Sequence, residues 1–168
     1  MSLFSKKLET LEDLFQHELK DLYSAENQLV KALPQMAAAA KDGRLRAGIE
    51  KHLKETTNQV ARLEKIGKLL DIDLDGETCK AMEGLVKEGQ KTLSENATDE
   101  VMDAAIIAAS QRIEHYEISG YGTAAHYADR LGYAEAAQLL RQTLDEEQLT
   151  DTKLNDLAKN YINQKAMQ

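Results

Sequence analysis

Two glutamates stand one helical turn apart in the middle of the chain. They are Glu114 and Glu117, within the segment IEHYEISGYGTAA at residues 113–125. At about 100° per residue, both fall on the same helix face as Ser110 and Tyr121, the face that we expect to be buried. An ionised carboxylate in an apolar core is strongly unfavourable unless it is paired, protonated or bound to a metal. Glu114 and Glu117 are therefore candidate metal ligands.

Further glutamates occupy the middle of the other long helical segments. Glu26 lies in the centre of the apolar stripe of its segment, and Glu55 lies at the edge of its own. Glu146 and Glu147 straddle the stripe of the last segment. His52 precedes Glu55 by one turn and could supply a nitrogen ligand. These residues complete the candidate ligand set.

A weak internal repeat supports the same grouping. One constant shift along the chain aligns Glu26 with Glu117 and Glu55 with Glu146. The pattern suggests two helical hairpins, each with a glutamate on both arms. Periodicity by itself places Glu147 at least as centrally as Glu146, so both stay candidates.

Converging carboxylates need positive charge, and few cations lie on the same faces. Arg112 is close to Glu114 in sequence but points away from the stripe. A pair of metal ions would offset the mutual repulsion, since hard cations take several oxygen ligands. The alternative is a hydrogen-bonded polar network that includes tyrosines such as Tyr121. For Glu55 and Glu146, the alternative is an ordinary solvated helix edge.

Composition indicates how these residues are held. The chain has 168 residues, 42% of them hydrophobic, with one proline, two Phe and no Trp, which predicts an all-α protein. We expect one domain, 1–168, with a core from about 9 to 162. The net charge of -8 argues against nucleic acid or an anionic membrane as the partner. The single cysteine, Cys79, excludes an internal disulfide and fits a reducing compartment.

The first residues, MSLFSKKLETLEDLF, lack the apolar core of a signal peptide. No window reaches the roughly 20 apolar residues of a membrane span. We therefore expect a cytoplasmic protein without a membrane partner.

Hydrophobic spacing predicts four long helices and one short one, with Thr10 and Thr98 as N-caps. The short helix falls between the second and third long helices, as in a four-helix bundle with a crossover connection. The predicted helices span about 11–41, 44–71, 79–93, 99–131 and 134–162.

Several strings carry a family resemblance that extends over about residues 9–160. DLYSAENQL, HLKET, CKAMEGL, IEHYEISGYGT and LDEEQLTDTKL resemble the bacterial YciE/YciF family of ferritin-like, stress-associated proteins. The glutamate arrangement also resembles the di-iron site of rubrerythrin-like proteins. The resemblance implies a ferritin-like bundle, commonly a homodimer. It also favours a site with two metal ions, both iron. If the protein is an enzyme, the resemblance implies a reaction with a small oxidant, either oxygen or peroxide.

The sequence departs from the ferritin-like pattern at two positions. That pattern places a histidine three residues after the glutamates of the second and fourth long helices, where this chain has Asn58 and Leu149. His52 could reach the site, and Gln59 or Asp151 could add oxygens. Oxygen-rich ligation leaves Mn, Mg or Ca as alternatives to iron. It also leaves open a non-enzymatic structural or stress-response dimer whose site is structural or vestigial.

Overall fold

The computed structural model describes residues 7–168. Residues 1–6, on which the expectation of no signal peptide partly rests, lie outside the described part. The described residues form helices and no strand, which confirms the all-α prediction. The long helices and the short one between them are α1 (Leu11–Ala39), α2 (Gly43–Leu70), α3 (Lys80–Leu93), α4 (Asp99–Leu131) and α5 (Ala134–Leu157).

The last predicted helix ends earlier as an α-helix than expected. A π-helical turn, Ala158–Ile162, follows α5 and leads into α6 (Asn163–Ala166). The wider turn is visible in the backbone, because Asn163 N–H donates to the carbonyl oxygen of Ala158, five residues earlier. Ala158 and Ile162 both remain buried, so the chain continues to cover the core beyond α5.

Both predicted N-caps are confirmed. Thr10 and Asp13 form a capping box at the start of α1, and the Thr98 hydroxyl accepts from the backbone N–H of Val101. Cys79 has the same role at α3, where its sulfur accepts from the backbone N–H of Met82 at 3.3 Å. These contacts satisfy amide groups that have no partner within the first helical turn.

The long helices form two hairpins that pack side by side. α1 packs extensively on α2, and α4 on α5, each pair joined by a short loop. Contacts of α1 with α4 and of α2 with α5 complete the four-helix bundle. The crossover from α2 to α4 contains α3, which packs on α1 and α4.

Within residues 7–168, none of the helices combines the length and apolar character that a membrane crossing requires.

Two features bring α4 close to the first hairpin. The buried Asp103 carboxylate on α4 accepts the backbone N–H groups of Lys41 and Asp42, at 2.7 and 2.8 Å. Gly120, further along α4, faces Leu22 of α1, and a Cβ at Gly120 would lie 2.8 Å from a Leu22 methyl carbon. These features position the middle of α4 against α1.

The core consists of two apolar clusters separated along the bundle axis by a polar layer. On α1, one cluster ends at Leu22 and the other begins at Ala25. On α4, Ile113 belongs to one cluster and Tyr121 to the other. The buried polar side chains between the clusters are Glu26, His52, Thr56, Gln59, Glu114, Glu117, Thr143 and Glu147. Most of the candidate ligands are thus in one layer at mid-bundle.

Candidate metal centre

Each long helix contributes at least one ionisable side chain to this layer. Glu26 comes from α1, His52 from α2, Glu114 and Glu117 from α4, and Glu147 from α5. All five are buried, with at most 3% of the residue surface exposed. The three-residue spacing of Glu114 and Glu117 places both on one face of α4, as the periodicity predicted.

Four of these side chains converge closely. His52, Glu114, Glu117 and Glu147 each offer one ligand atom, and these atoms all lie within 4.8 Å of one another. His52 Nε2 is 3.6 Å from Glu114 Oε1, and His52 Nδ1 is 3.9 Å from Glu147 Oε2. These separations are too long for hydrogen bonds and suit ligands that face a shared cation.

Glu26 borders this group and is oriented by a tyrosine. The Tyr121 hydroxyl donates a hydrogen bond to Glu26 Oε1, which leaves Glu26 Oε2 without a hydrogen-bond partner among the described residues. This contact is of the kind expected for the alternative, a hydrogen-bonded polar network that includes Tyr121. Another tyrosine, Tyr23 of α1, donates to the surface carboxylate of Glu64, at 3.2 Å.

The structure separates Glu146 from Glu147. Glu147 is fully buried and accepts a hydrogen bond from Gln59 Nε2, whereas Glu146 is half-buried and forms a two-pronged ion pair with Arg62. The two N···O distances of that pair are 2.8 and 2.7 Å. Periodicity, and not the internal repeat, thus identifies the glutamate of α5 that lies in the polar layer.

Glu55 also lies outside the layer. It is half-buried and pairs with Lys51, one turn earlier on α2. Its place on the inner face of α2 is taken by His52. Asp151, a further candidate oxygen donor, contacts Gln111 and His115 at the edge of the bundle, at 3.0 and 3.2 Å.

Burial controls the protonation of the cluster. Desolvation, followed by the negative charge of Glu147, raises the pKa of Glu26, Glu114 and Glu117 well above the ordinary value. Desolvation also raises the pKa of Glu147, to about 7. For His52, desolvation lowers the pKa to about 4, so the imidazole is neutral at physiological pH and can act as a ligand.

These residues could hold a metal ion, on two grounds. Buried oxygen and nitrogen atoms without a hydrogen-bond partner among the described residues include both ring nitrogens of His52 and both carboxylate oxygens of Glu117. Buried polar atoms normally have a partner, and a metal ion would supply one. The four buried glutamates would balance the charge of two divalent cations when ionised.

One ion pair beside the polar layer had no signal in the sequence. Arg62 reaches from α2 to α5, where it binds Glu146 and donates to the Thr143 hydroxyl at 2.9 Å. Periodicity describes one helix at a time, so it did not identify a basic side chain on one helix that pairs with a carboxylate on another. Arg62 supplies the local positive charge that neutralises Glu146.

The chain belongs to the DUF892 family, whose model, described as a domain of unknown function, matches residues 10–167. It is 45% identical over 160 residues to Protein YciF of Escherichia coli, with 95% of this chain and 96% of YciF covered. These findings confirm the resemblance that the sequence motifs indicated.

Solved structures show the same architecture. The crystal structure of the E. coli stress protein YciF matches with a TM-score of 0.90 and 44% identity, covering 93% of this chain and 99% of that one. YcfI of Rhodopseudomonas palustris matches with a TM-score of 0.87 and 43% identity, covering 91% and 98%. A protein from Xanthomonas campestris, 20% identical, shares the fold with a TM-score of 0.73 over 90% and 93% of the two chains.

Proposed function

We propose that this chain is a carboxylate-rich di-metal protein, with iron as the favoured metal, that reacts with a small oxidant in a bacterial stress response. The observation that carries the proposal is the buried group of His52, Glu114, Glu117 and Glu147, whose ligand atoms lie within 4.8 Å of one another. The stress role is suggested by the likeness to YciF, which is described as a stress protein.

Five side chains would hold the metals. Glu117 is fully buried, and neither of its carboxylate oxygens has a hydrogen-bond partner among the described residues, so both would be available to metal. Glu26 would bind through Oε2, which also has no partner in the described part of the chain, while Tyr121 holds the other oxygen. His52, Glu114 and Glu147 would complete the set. A neutral imidazole with four carboxylates is rich in oxygen, which keeps Mn, Mg and Ca as alternatives to iron.

Two ferrous ions would supply two electrons for cleavage of the O–O bond of hydrogen peroxide, which with two protons gives two water molecules. The protein's own residues have other tasks. Gln59 and Tyr121 orient Glu147 and Glu26 through hydrogen bonds, which positions the carboxylates before a metal binds. The two apolar clusters on either side exclude bulk water from the layer.

Metal content tests this proposal directly. The chain is purified without chelators or a metal affinity column, and its metals are measured by elemental analysis in the wild type, Glu26→Ala and Glu117→Ala. We expect about two equivalents of iron in the wild type and a loss in both variants. Glu100→Ala, an exposed position on the same helix as Glu117, is the matched control and retains the metal.

A wild type that holds no metal, and takes up none when Fe(II) or Mn(II) is offered, would contradict the proposal. The cluster would then be a polar network of protonated carboxylates, consistent with their raised pKa values. A structural role is the second candidate, since the similar YcfI is described as a candidate structural protein. Sizing chromatography of the metal-free chain would test the homodimer expected for that role.

A further inference from the structure

A small chamber adjoins the metal centre on the side of α2 and α4. Its polar end is formed by His52, Ser110 and Glu114, and its walls include Leu33, Ile49 and Ile113. Its volume of about 10 Å³ is close to the minimum for a single water-sized molecule. We call it the inner chamber.

A larger cavity of about 240 Å³ lies between α2 and α5. Its lining includes the cationic residues Arg44, Lys51 and Lys153, with Glu55 as the acidic member. We call it the outer cavity. Gly48, Thr150 and Leu154 line both the outer cavity and the inner chamber, so the two spaces are adjacent and share these residues as a common wall.

We infer that the outer cavity and the inner chamber form one passage to the metal centre, and that the passage admits hydrogen peroxide. This inference rests on the proposed function for its chemical purpose. The passage itself is a property of the metal-free chain and can be tested without a metal.

Hydrogen bonding favours peroxide as the guest of the inner chamber. The Ser110 hydroxyl, which is not one of the proposed metal ligands, is buried and has no hydrogen-bond partner among the described residues. A guest that both donates and accepts hydrogen bonds would satisfy this hydroxyl, and peroxide does both. Dioxygen donates none, and a larger organic substrate does not fit the chamber volume.

Charge at the opening disfavours a cation. Three basic residues outnumber the one acidic residue around the outer cavity, in a chain whose net charge is -8. Lys51 and Arg44 are partly neutralised by Glu55 and Asp42, and Lys153 adds a further positive charge. An uncharged oxidant is not repelled by this charge, whereas the entry of a divalent metal ion is disfavoured. We therefore expect metal loading by a different route.

Gly48 is an exposed residue of α2 that lines both spaces. A Cβ at this position would meet no atom within 4 Å, so a larger side chain can be added there without a clash. We expect such a side chain to obstruct the passage. Gly48 lies within α2, where alanine and leucine both favour the helix over glycine by a similar amount.

The first test uses the metal-free chain. Cys79→Ser removes the native thiol and keeps a good N-cap, and Ser110→Cys places a thiol in the inner chamber. Hydrogen peroxide oxidises this thiol to a sulfenic acid and is itself reduced to water. The rate of this oxidation is followed by mass spectrometry of the peptide that carries residue 110, with glycine, alanine or leucine at position 48. We expect leucine to slow the reaction at least tenfold and alanine less than twofold. Gly84→Leu, at an exposed site on α3, should leave the rate unchanged.

Equal rates with alanine and leucine at position 48 would overturn the passage, because the reagent would then arrive through general opening of the bundle.

The second test uses the iron-loaded chain with its native Cys79 and Ser110. Gly48→Leu should slow single-turnover oxidation by hydrogen peroxide while the iron content and the rate of iron loading stay unchanged. Slower iron loading would contradict the separate metal route. A chain without iron would refute the proposed function and leave the thiol result standing.

Discussion

His52 Nε2 on α2 lies 3.6 Å from Glu114 Oε1 on α4, in a fully buried setting. The distance exceeds that of a hydrogen bond, and the Nε2 atom has no other partner among the described residues. Because burial lowers the pKa of His52 to about 4, the imidazole is neutral and does not form an ion pair. The two side chains are thus placed so that both could bind one metal ion.

His52→Asn should weaken metal binding tenfold or more, on the order of losing one ligating group. The affinity for Fe(II) or Mn(II) is measured by anaerobic titration calorimetry. His126→Asn, at an exposed position on α4, is the matched control and should bind as the wild type does. Unchanged affinity in His52→Asn would exclude the imidazole from the site.

Glu147→Gln and Glu146→Gln should have opposite consequences. Glu147 is in the buried layer, so its substitution should abolish binding of at least one metal ion and leave the metal-free chain no less stable. Glu146 pairs with Arg62, so its substitution should lower the free energy of unfolding by about 1–2 kcal/mol and leave metal content unchanged. Elemental analysis and urea unfolding check the two outcomes. If Glu146→Gln loses the metal and Glu147→Gln keeps it, the internal repeat, and not the periodicity, would have identified the ligand on α5.

The metal-free chain should lose stability as the pH rises from about 5 to 8. Burial raises the pKa of Glu147 to about 7 from an ordinary 4.5, so between these values the folded state holds more protons, and stability falls by on the order of 3 kcal/mol. His52 has the opposite effect on stability. Its pKa is lowered from 6.5 to about 4, so between these values the unfolded state holds more protons, and the contribution of His52 to the free energy of unfolding rises with pH. Glu26, Glu114 and Glu117 also have raised pKa values, so they add to the effect of Glu147, and the net change is a loss of stability with rising pH.

Urea unfolding of the metal-free chain at several pH values tests this dependence. Glu117→Gln, which stays neutral at every pH, should show a smaller loss between pH 5 and 8 than the wild type. Metal affinity should change in the other direction and increase with pH, because protons compete with metal for the same carboxylates. A wild type whose stability rises over this range would contradict the assigned burial of the carboxylates.

Asp103→Ala should destabilise the fold without affecting the metal centre. The buried carboxylate accepts two backbone N–H groups from the loop between α1 and α2, and its removal leaves both donors unsatisfied. We expect a loss of about 2–3 kcal/mol in the free energy of unfolding, measured by urea denaturation. Asp145→Ala, at an exposed position of α5, should change stability by less than about 0.5 kcal/mol. Similar losses in both variants would contradict the role of Asp103.

Much of the architecture is determined locally and could be predicted from the sequence. Apolar spacing and helix-favouring composition indicate where the long helices lie, and the caps at Thr10 and Thr98 specify where α1 and α4 begin. Periodicity also placed Glu26, Glu114 and Glu117 on inner faces. Glu26 is at the centre of its apolar stripe, and Glu114 and Glu117 both lie within the buried face of α4, so a small error in helix rotation does not move them to the surface.

Only the tertiary structure decided which residues at stripe edges enter the layer. His52 and Glu55 lie one turn apart on α2, and the rotation of α2 against α5 buries the imidazole and leaves Glu55 with Lys51. Arg62 likewise holds Glu146 outside the layer across a helix boundary. A sequence pattern describes each helix about its own axis. The angle at which four helices face one another depends on packing between residues that are distant in the chain.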